Sequence, residues 1–172
     1  MEIIIFRHGI ALDYEQAQDI GLSDPERPLT KKGEQRTRAA AAGLRVALAG
    51  NLVDTMVSST YLRARQSADI LSDYLDQPPL LETHALAPDA NVEDLDTWLH
   101  ARSPQSRLII VGHEPHLSHW ASWSLTRKSD RILSLKKAGS CLIEFPGPAE
   151  GGTGTLRWLM TPTQLRALAQ QA

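Results

Sequence analysis

Two histidines of this chain stand in the same local setting. His8 follows Ile3-Ile4-Ile5-Phe6-Arg7 and precedes Gly9, while His113 follows Leu108-Ile109-Ile110-Val111-Gly112. A short run rich in β-branched residues reads as a buried strand, so each imidazole is expected where a strand ends. In open α/β sheets, ligands bind outside the carboxyl ends of the strands. If the two strands are parallel neighbours, His8 and His113 point into one crevice. Arg7 brings a permanently charged guanidinium to it. Gly9 lets the backbone turn sharply or approach a ligand closely.

A third segment, Ser58-Ser59-Thr60-Tyr61-Leu62-Arg63-Ala64-Arg65, follows another strand candidate and opens a helix. A helix N-terminus favours anions, and Arg63 or Arg65 adds a fork of donors. Two arginines and two histidines without a carboxylate cluster suit a phosphoryl group, whose oxygens need charge neutralisation during transfer. Metal sites for that chemistry need carboxylate ligands. Glu114, after His113, is the one nearby candidate. Cationic side chains are therefore expected to replace a metal, with a neutral histidine as nucleophile and a covalent phospho-enzyme as intermediate.

The elements that must position these residues alternate. Strands are expected at about 2–6, 53–57, 80–82, 108–111, 140–145 and 155–160. Helices are expected from Lys31, capped by Thr30, to about Ala49; from Tyr61 to Leu75; from Asn91 to Ala101; from Pro115 to about Leu125; and from Pro162. Residues 11–29 read as a polar, irregular segment. This βαβα order predicts a three-layer α/β/α sandwich around a mostly parallel sheet, with the last two strands antiparallel to each other. Residues 1–172 read as one domain. Gly43 is a mild local cost inside its helix.

The whole chain narrows the function. Its net charge of −2 gives no global reason to expect nucleic acid. The single Cys141 leaves no internal disulfide and reads as a small buried hydrophobe. No signal peptide and no bilayer-length apolar run is read, so a cytoplasmic location is expected, with no membrane partner. The Gly-rich stretch at 151–154 lacks a following Lys-Ser/Thr, so it reads as a connecting loop. The four tryptophans read as core and interface filling. His84 is expected near the pocket rim.

Arg7-His8-Gly9, the Ser-Ser-x-x-x-Arg segment ending at Arg63, and Val111-Gly112-His113-Glu114-Pro115 resemble three signatures of the histidine phosphatase superfamily. Arg27-Pro28-Leu29-Thr30 with Gly33 resembles a fourth. The small size, Ile10-Ala11 and Leu86-Ala87-Pro88 are similar to its SixA-type phosphohistidine phosphatases. Two departures are Thr60, where many members have Pro, and Ser67, where Thr is usual. The resemblance implies a phosphoglycerate mutase-like fold of branch 1, with His8 as the phosphorylated nucleophile. It implies Arg7, Arg63 and His113 on the phosphoryl oxygens, Arg27 at the entrance, Arg65 outside the pocket, and no metal or other cofactor.

Mutase-like members carry a Glu that protonates a leaving alkoxide. Here Glu82 and Asp89 are the candidate general acids, and each also reads as a surface carboxylate. An imidazole leaving from phosphohistidine titrates near neutrality and needs less help. The expected substrate is therefore a phosphohistidine-containing protein of a phosphorelay or phosphocarrier kind, with inorganic phosphate as product. The alternatives are a small-molecule phosphomonoesterase of the same superfamily and a phosphate-binding module without turnover.

Overall fold

The computed structural model describes residues 1–128 and 130–171. Six strands form one sheet: β1 (Glu2–Arg7), β2 (Thr55–Ser59), β3 (Leu80–Thr83), β4 (Arg107–Gly112), β5 (Ser140–Glu144) and β6 (Thr155–Met160). Their order is β3-β2-β4-β1-β5-β6. The first four are mutually parallel, β5 runs antiparallel to β1, and β6 antiparallel to β5. Four of the six strands are thus parallel, as the alternating order predicts, and the antiparallel pair β5 and β6 lies at one end of the sheet.

Side chains alternate across a strand, and β1 feeds two cores. Ile4 and Phe6 join Met56, Ile109 and Val111 on one face, while Ile3 and Ile5 join Val57, Leu108 and Ile110 on the other. The first face is covered by α2 (Lys31–Ala47), α3 (Leu62–Ser72) and α6 (Pro162–Ala169), through Leu44, Leu71 and Leu165 among others. The second is covered by α4 (Val92–His100) and α5 (His116–Thr126), through Leu95, Leu99, Leu117 and Trp120. Helices on both faces explain why the central strands are apolar throughout. Cys141 is fully buried in the second core, where burial pushes its thiol up to about 12.

Two differences from the sequence expectation bear on the site. Residues 11–29 are ordered: they contain α1 (Tyr14–Asp19) and a single 3-10 turn at Asp24–Glu26. A Cβ on Gly43 would stand 1.7 Å from the carbonyl oxygen of Leu165. This glycine is thus the point where α2 and α6 touch backbone to backbone, and its local cost is offset by that approach. The 151–154 stretch is a connecting loop, with the Gly152 N–H donating to the end of α5.

Candidate active site

The three carboxyl ends meet because β2, β4 and β1 lie side by side and parallel. Arg7 pairs with Gly112, and the His8 N–H donates to the Gly112 carbonyl at 3.1 Å. The next residues of the two strands, His8 and His113, therefore emerge together, with ring centroids 4.8 Å apart. Both are buried. From the end of β2, Tyr61 sets its ring edge-on to His113 at 5.2 Å, and the Arg63 guanidinium lies over the Tyr61 ring at 4.9 Å. His8, His113, Arg7 and Arg63 are thus brought into one cluster.

Hydrogen bonds set the chemical state of His8. Its Nδ1 is 2.7 Å from the carbonyl oxygen of Gly9. A carbonyl only accepts, so Nδ1 carries the proton and Nε2 keeps its lone pair. Burial pushes the His8 pKa down to about 3 against the support of the Gly9 carbonyl, and the charges of Arg63, Arg7 and Lys137 act with burial. His113 is likewise held far below the ordinary imidazole range, by burial first and then by His8 and Arg63. Both rings are neutral at physiological pH. His113 Nε2 meets Ser59 Oγ at 3.0 Å, and its buried Nδ1 has no partner among the described residues.

The arginines are anchored and leave donors over. Arg7 donates from Nη1 to the Leu135 carbonyl at 2.8 Å, and Arg63 donates from Nη1 and Nη2 to the carbonyl and carboxylate of Asp24 at 2.6 and 3.0 Å. Each keeps a buried Nε–H without a protein partner among the described residues. Burial lowers both guanidinium pKa values from a very high starting point, and charge remains. Burial alone would raise the Asp24 carboxyl. Its hydrogen bonds and charge contacts with Arg63 and Arg27 outweigh that and hold it below the usual carboxylate range.

The remaining sequence candidates fall in different places. Arg27 points into its own loop, donating from Nε to Asp24 at 2.7 Å and from Nη1 to the Leu12 carbonyl at 2.6 Å. It braces the segment that anchors Arg63. Gly9 is needed for packing against α2: a Cβ there would lie 2.2 Å from Thr37 Oγ1. Its N–H is taken by Ser67 Oγ at 3.0 Å, and the close approach that its missing Cβ permits is to α2. Glu82 pairs with Arg65 at 2.9 Å on the surface, away from the histidine cluster in its contacts. Asp89 stands beside Tyr61, whose phenol pKa is raised by burial and then by Asp89 and Asp24. His84 is exposed and 4.0 Å from Asp89. Glu114 turns to Ser118 and to the N–H of Leu135. No three His, Cys, Asp or Glu among the described residues gather in a metal-binding arrangement.

The Arg-Pro-Leu-Thr-x-x-Gly segment has a structural explanation. Thr30 accepts the Gly33 N–H at 2.9 Å as the cap of α2, and its own N–H donates to the Ile10 carbonyl. A Cβ on Gly33 would lie 1.9 Å from that carbonyl oxygen. The motif clamps the chain after His8 onto α2. Sequence reasoning missed Asp24, Ser59, Tyr61 and Ser67 as partners of the four central residues. Ser59 and Tyr61 lie within the Ser-Ser-x-x-x-Arg motif and Ser67 just after it, while Asp24 offers no local signal.

A phosphoryl-sized anion is what such a cluster can hold, with a lone pair aimed by a fixed tautomer and guanidinium donors beside it. The chain belongs to the histidine phosphatase superfamily, branch 1, whose family model matches residues 3–87. It is a phosphatase of that superfamily. Over 172 residues it is 26% identical to the phosphohistidine phosphatase SixA of Escherichia coli K12, covering 96% of this chain and 97% of that one. It is 37% identical over 141 residues to an uncharacterized protein of a Picosynechococcus strain, covering 81% and 82% of the two chains. Among solved structures, the protein histidine phosphatase SixA complexed with tungstate superposes with a TM-score of 0.78 at 25% identity, covering 96% of this chain and 99% of that one. A phosphoglycerate mutase of Plasmodium falciparum shares the fold at a TM-score of 0.64 and 18% identity, over 91% and 88%. No helix among the described residues is long and apolar enough to cross a membrane.

Proposed function

We propose that this protein is a metal-independent phosphohistidine phosphatase that acts on a phosphohistidine-bearing signalling or phosphocarrier protein through a phosphorylated His8. The observation that carries the reading is the tautomer of His8. With Nδ1–H held by the Gly9 carbonyl, Nε2 is an unprotonated nucleophile beside two arginines. Its attack on phosphorus forms an N–P bond as the N–P bond to the substrate imidazole breaks, and the departing imidazole takes a proton from water. Arg7 and Arg63 neutralise the phosphoryl oxygens in place of a metal, and the neutral His113 donates a hydrogen bond to them. Water then adds to phosphorus, the His8–P bond breaks, and inorganic phosphate leaves.

The substrate class rests on the weak supply of acids. Glu82 is engaged with Arg65 and Asp24 with Arg63 and Arg27, which leaves the exposed Asp89 as the other carboxylate beside the cluster's Tyr61. An alkoxide leaving group needs a proton donor, whereas an imidazole, with a pKa near 6.5, departs with little help. The likeness to SixA, described as a phosphohistidine phosphatase, supports the same choice.

The test is turnover of a phosphohistidine protein, free phosphohistidine and alkyl phosphate monoesters, with EDTA throughout. Wild type is expected to prefer phosphohistidine and to label on histidine, and His8→Ala to lose at least about 10³-fold in rate. Full activity of His8→Ala, or loss of activity in EDTA restored by a metal, overturns the mechanism. The position of Asp89 favours one second reading, a small-molecule phosphomonoesterase with Asp89 as acid. Strong preference for monoesters, lost in Asp89→Asn, would establish it. Tight phosphate binding without product release would instead establish a binding module.

A further inference from the structure

Next to the histidine cluster, Arg7 also forms one wall of a separate groove of about 340 Å³. Its other charged walls are Arg36 from α2, Lys136 and Lys137 from the turn before β5, and Arg166 from α6. No Asp or Glu lines it. None of Arg36, Lys136, Lys137 or Arg166 forms an ion pair among the described residues, although acidic residues outnumber Lys and Arg in this chain by 20 to 18. Elsewhere arginines find carboxylates, as Arg38 does with Asp73 and Arg157 with Glu144. Of the five, Arg7 feels a carboxylate, Glu114, which lies outside the lining; the like charges repel one another, and an anionic occupant would relieve that repulsion.

The cluster is also held in place. The Ala138 N–H donates to the Arg7 carbonyl at 2.9 Å, the Arg7 N–H to the Gly139 carbonyl at 3.1 Å, and the Gly139 N–H to the Lys136 carbonyl at 2.7 Å. The lysine turn is thus pinned to the end of β1. The contact of Gly43 with Leu165 sets α6 against α2, which brings Arg166 beside Arg36. The groove is therefore held beside the histidine cluster, shares Arg7 with it, and opens to solvent.

We propose that this groove is a docking surface for an acidic segment of the phosphohistidine-bearing protein, a stretch of Asp or Glu side chains next to the phosphorylated histidine. The inference rests on the function proposed above and names what the partner must carry. Contacts of this kind supply encounter rate and selectivity more than raw affinity. They give such a phosphatase a way to tell one phosphohistidine protein from another without altering the chemistry at His8.

The test uses two phosphohistidine peptides, one flanked by Asp and Glu and one by Ser and Gly, and a fluorescent copy of the acidic peptide without phosphate. The enzymes are wild type, Arg36→Glu with Lys136→Glu, and a control of equal net charge, Arg45→Glu with Arg157→Glu. Wild type is expected to turn over the acidic peptide about tenfold more efficiently than the neutral one, and to lose that preference in 0.5 M salt. The groove variant is expected to lose the preference and the binding of the unphosphorylated peptide, while keeping wild-type rates on free phosphohistidine. The control is expected to behave as wild type. Peptide binding that is equal in wild type and groove variant overturns the docking surface, whether or not either peptide is a substrate. Pyrophosphate binding in the groove with no peptide binding also overturns it, in favour of a small polyanion. Peptide binding that depends on the groove, with no turnover of any phosphohistidine substrate, would overturn the proposed function and leave the docking surface standing.

Discussion

His8 and His113 lie with ring centroids 4.8 Å apart, and both are neutral because they are buried beside cationic side chains. An unfolded histidine takes up a proton near pH 6.5. Each of these two does so in the native state only far below that, His8 at about 3. The unfolded chain therefore binds more protons in that window, and stability falls as pH falls. The contribution is complete above about pH 6.5 and is lost progressively on going down toward 3. Each histidine adds a slope of about 1.4 kcal/mol per pH unit there. Urea unfolding at pH 7.5, 5.5 and 4.5 is expected to show a shallower loss of stability in His8→Ala than in wild type. Equal slopes would mean that His8 is not held neutral.

Asp24 is the carboxylate that spans Arg63 and Arg27, and it is expected to govern substrate affinity without touching the reaction. It fixes two of the Arg63 nitrogens and leaves Nε–H over. Hydrogen bonds to charged groups are worth about 1.5–3 kcal/mol. Asp24→Ala is expected to raise KM for any phosphorylated substrate by about ten- to a hundredfold, with kcat changed less. Asp24→Asn, which keeps the shape and one acceptor, is expected to lie between. A change in kcat alone, with KM intact, would show that Asp24 does not act by holding Arg63.

Much of this arrangement was legible in the chain because the central strands are buried on both faces and read as unbroken apolar runs. Ile3–Phe6 and Leu108–Val111 locate β1 and β4, and the residues just past them include the two histidines that the fold brings together. Short-range signals also placed Thr30 and Pro162 at helix starts, within a residue or two of the observed ends. The segment 11–29 was not legible, since a six-residue helix and one 3-10 turn are too short to show a period. Its role depends on the contact of Asp24 with Arg63, 39 residues away. Gly43 shows the same limit: its local cost was readable, but its contact with Leu165 belongs to the packing of two helices far apart in sequence. The cationic groove was invisible for that reason too, being assembled from β1, α2, α6 and the turn before β5.

Gly9 offers a test of packing next to the nucleophile. A methyl group there would meet Thr37 Oγ1 at 2.2 Å, and overpacking of this kind costs about 1–3 kcal/mol. Gly9→Ala is expected to be destabilised by that amount and to lose activity as His8 shifts. Thr37→Ala removes the obstructing atom, so the double variant is expected to regain most of the stability lost through Gly9→Ala. Thermal unfolding of the four proteins gives the coupling energy. Additive effects would show that the glycine is needed for another reason.

Ser59 sets the proton on His113. Its hydroxyl oxygen accepts the Tyr61 N–H at 3.3 Å and stands 3.0 Å from His113 Nε2. With a donor already directed at the oxygen, the hydroxyl proton is free to go to Nε2, which leaves the imidazole proton on Nδ1. That nitrogen is buried without a protein partner among the described residues and is the one able to donate to a phosphoryl oxygen. Removing the hydroxyl frees the tautomer equilibrium at the cost of about one hydrogen bond, 0.5–1.5 kcal/mol. Ser59→Ala is therefore expected to lower kcat/KM by about two- to tenfold, with Ser59→Thr close to wild type. The nitrogen chemical shifts of His113 should report protonated Nδ1 in wild type and a mixture in Ser59→Ala. A wild-type ring protonated on Nε2 would reverse the assignment and make His113 an acceptor.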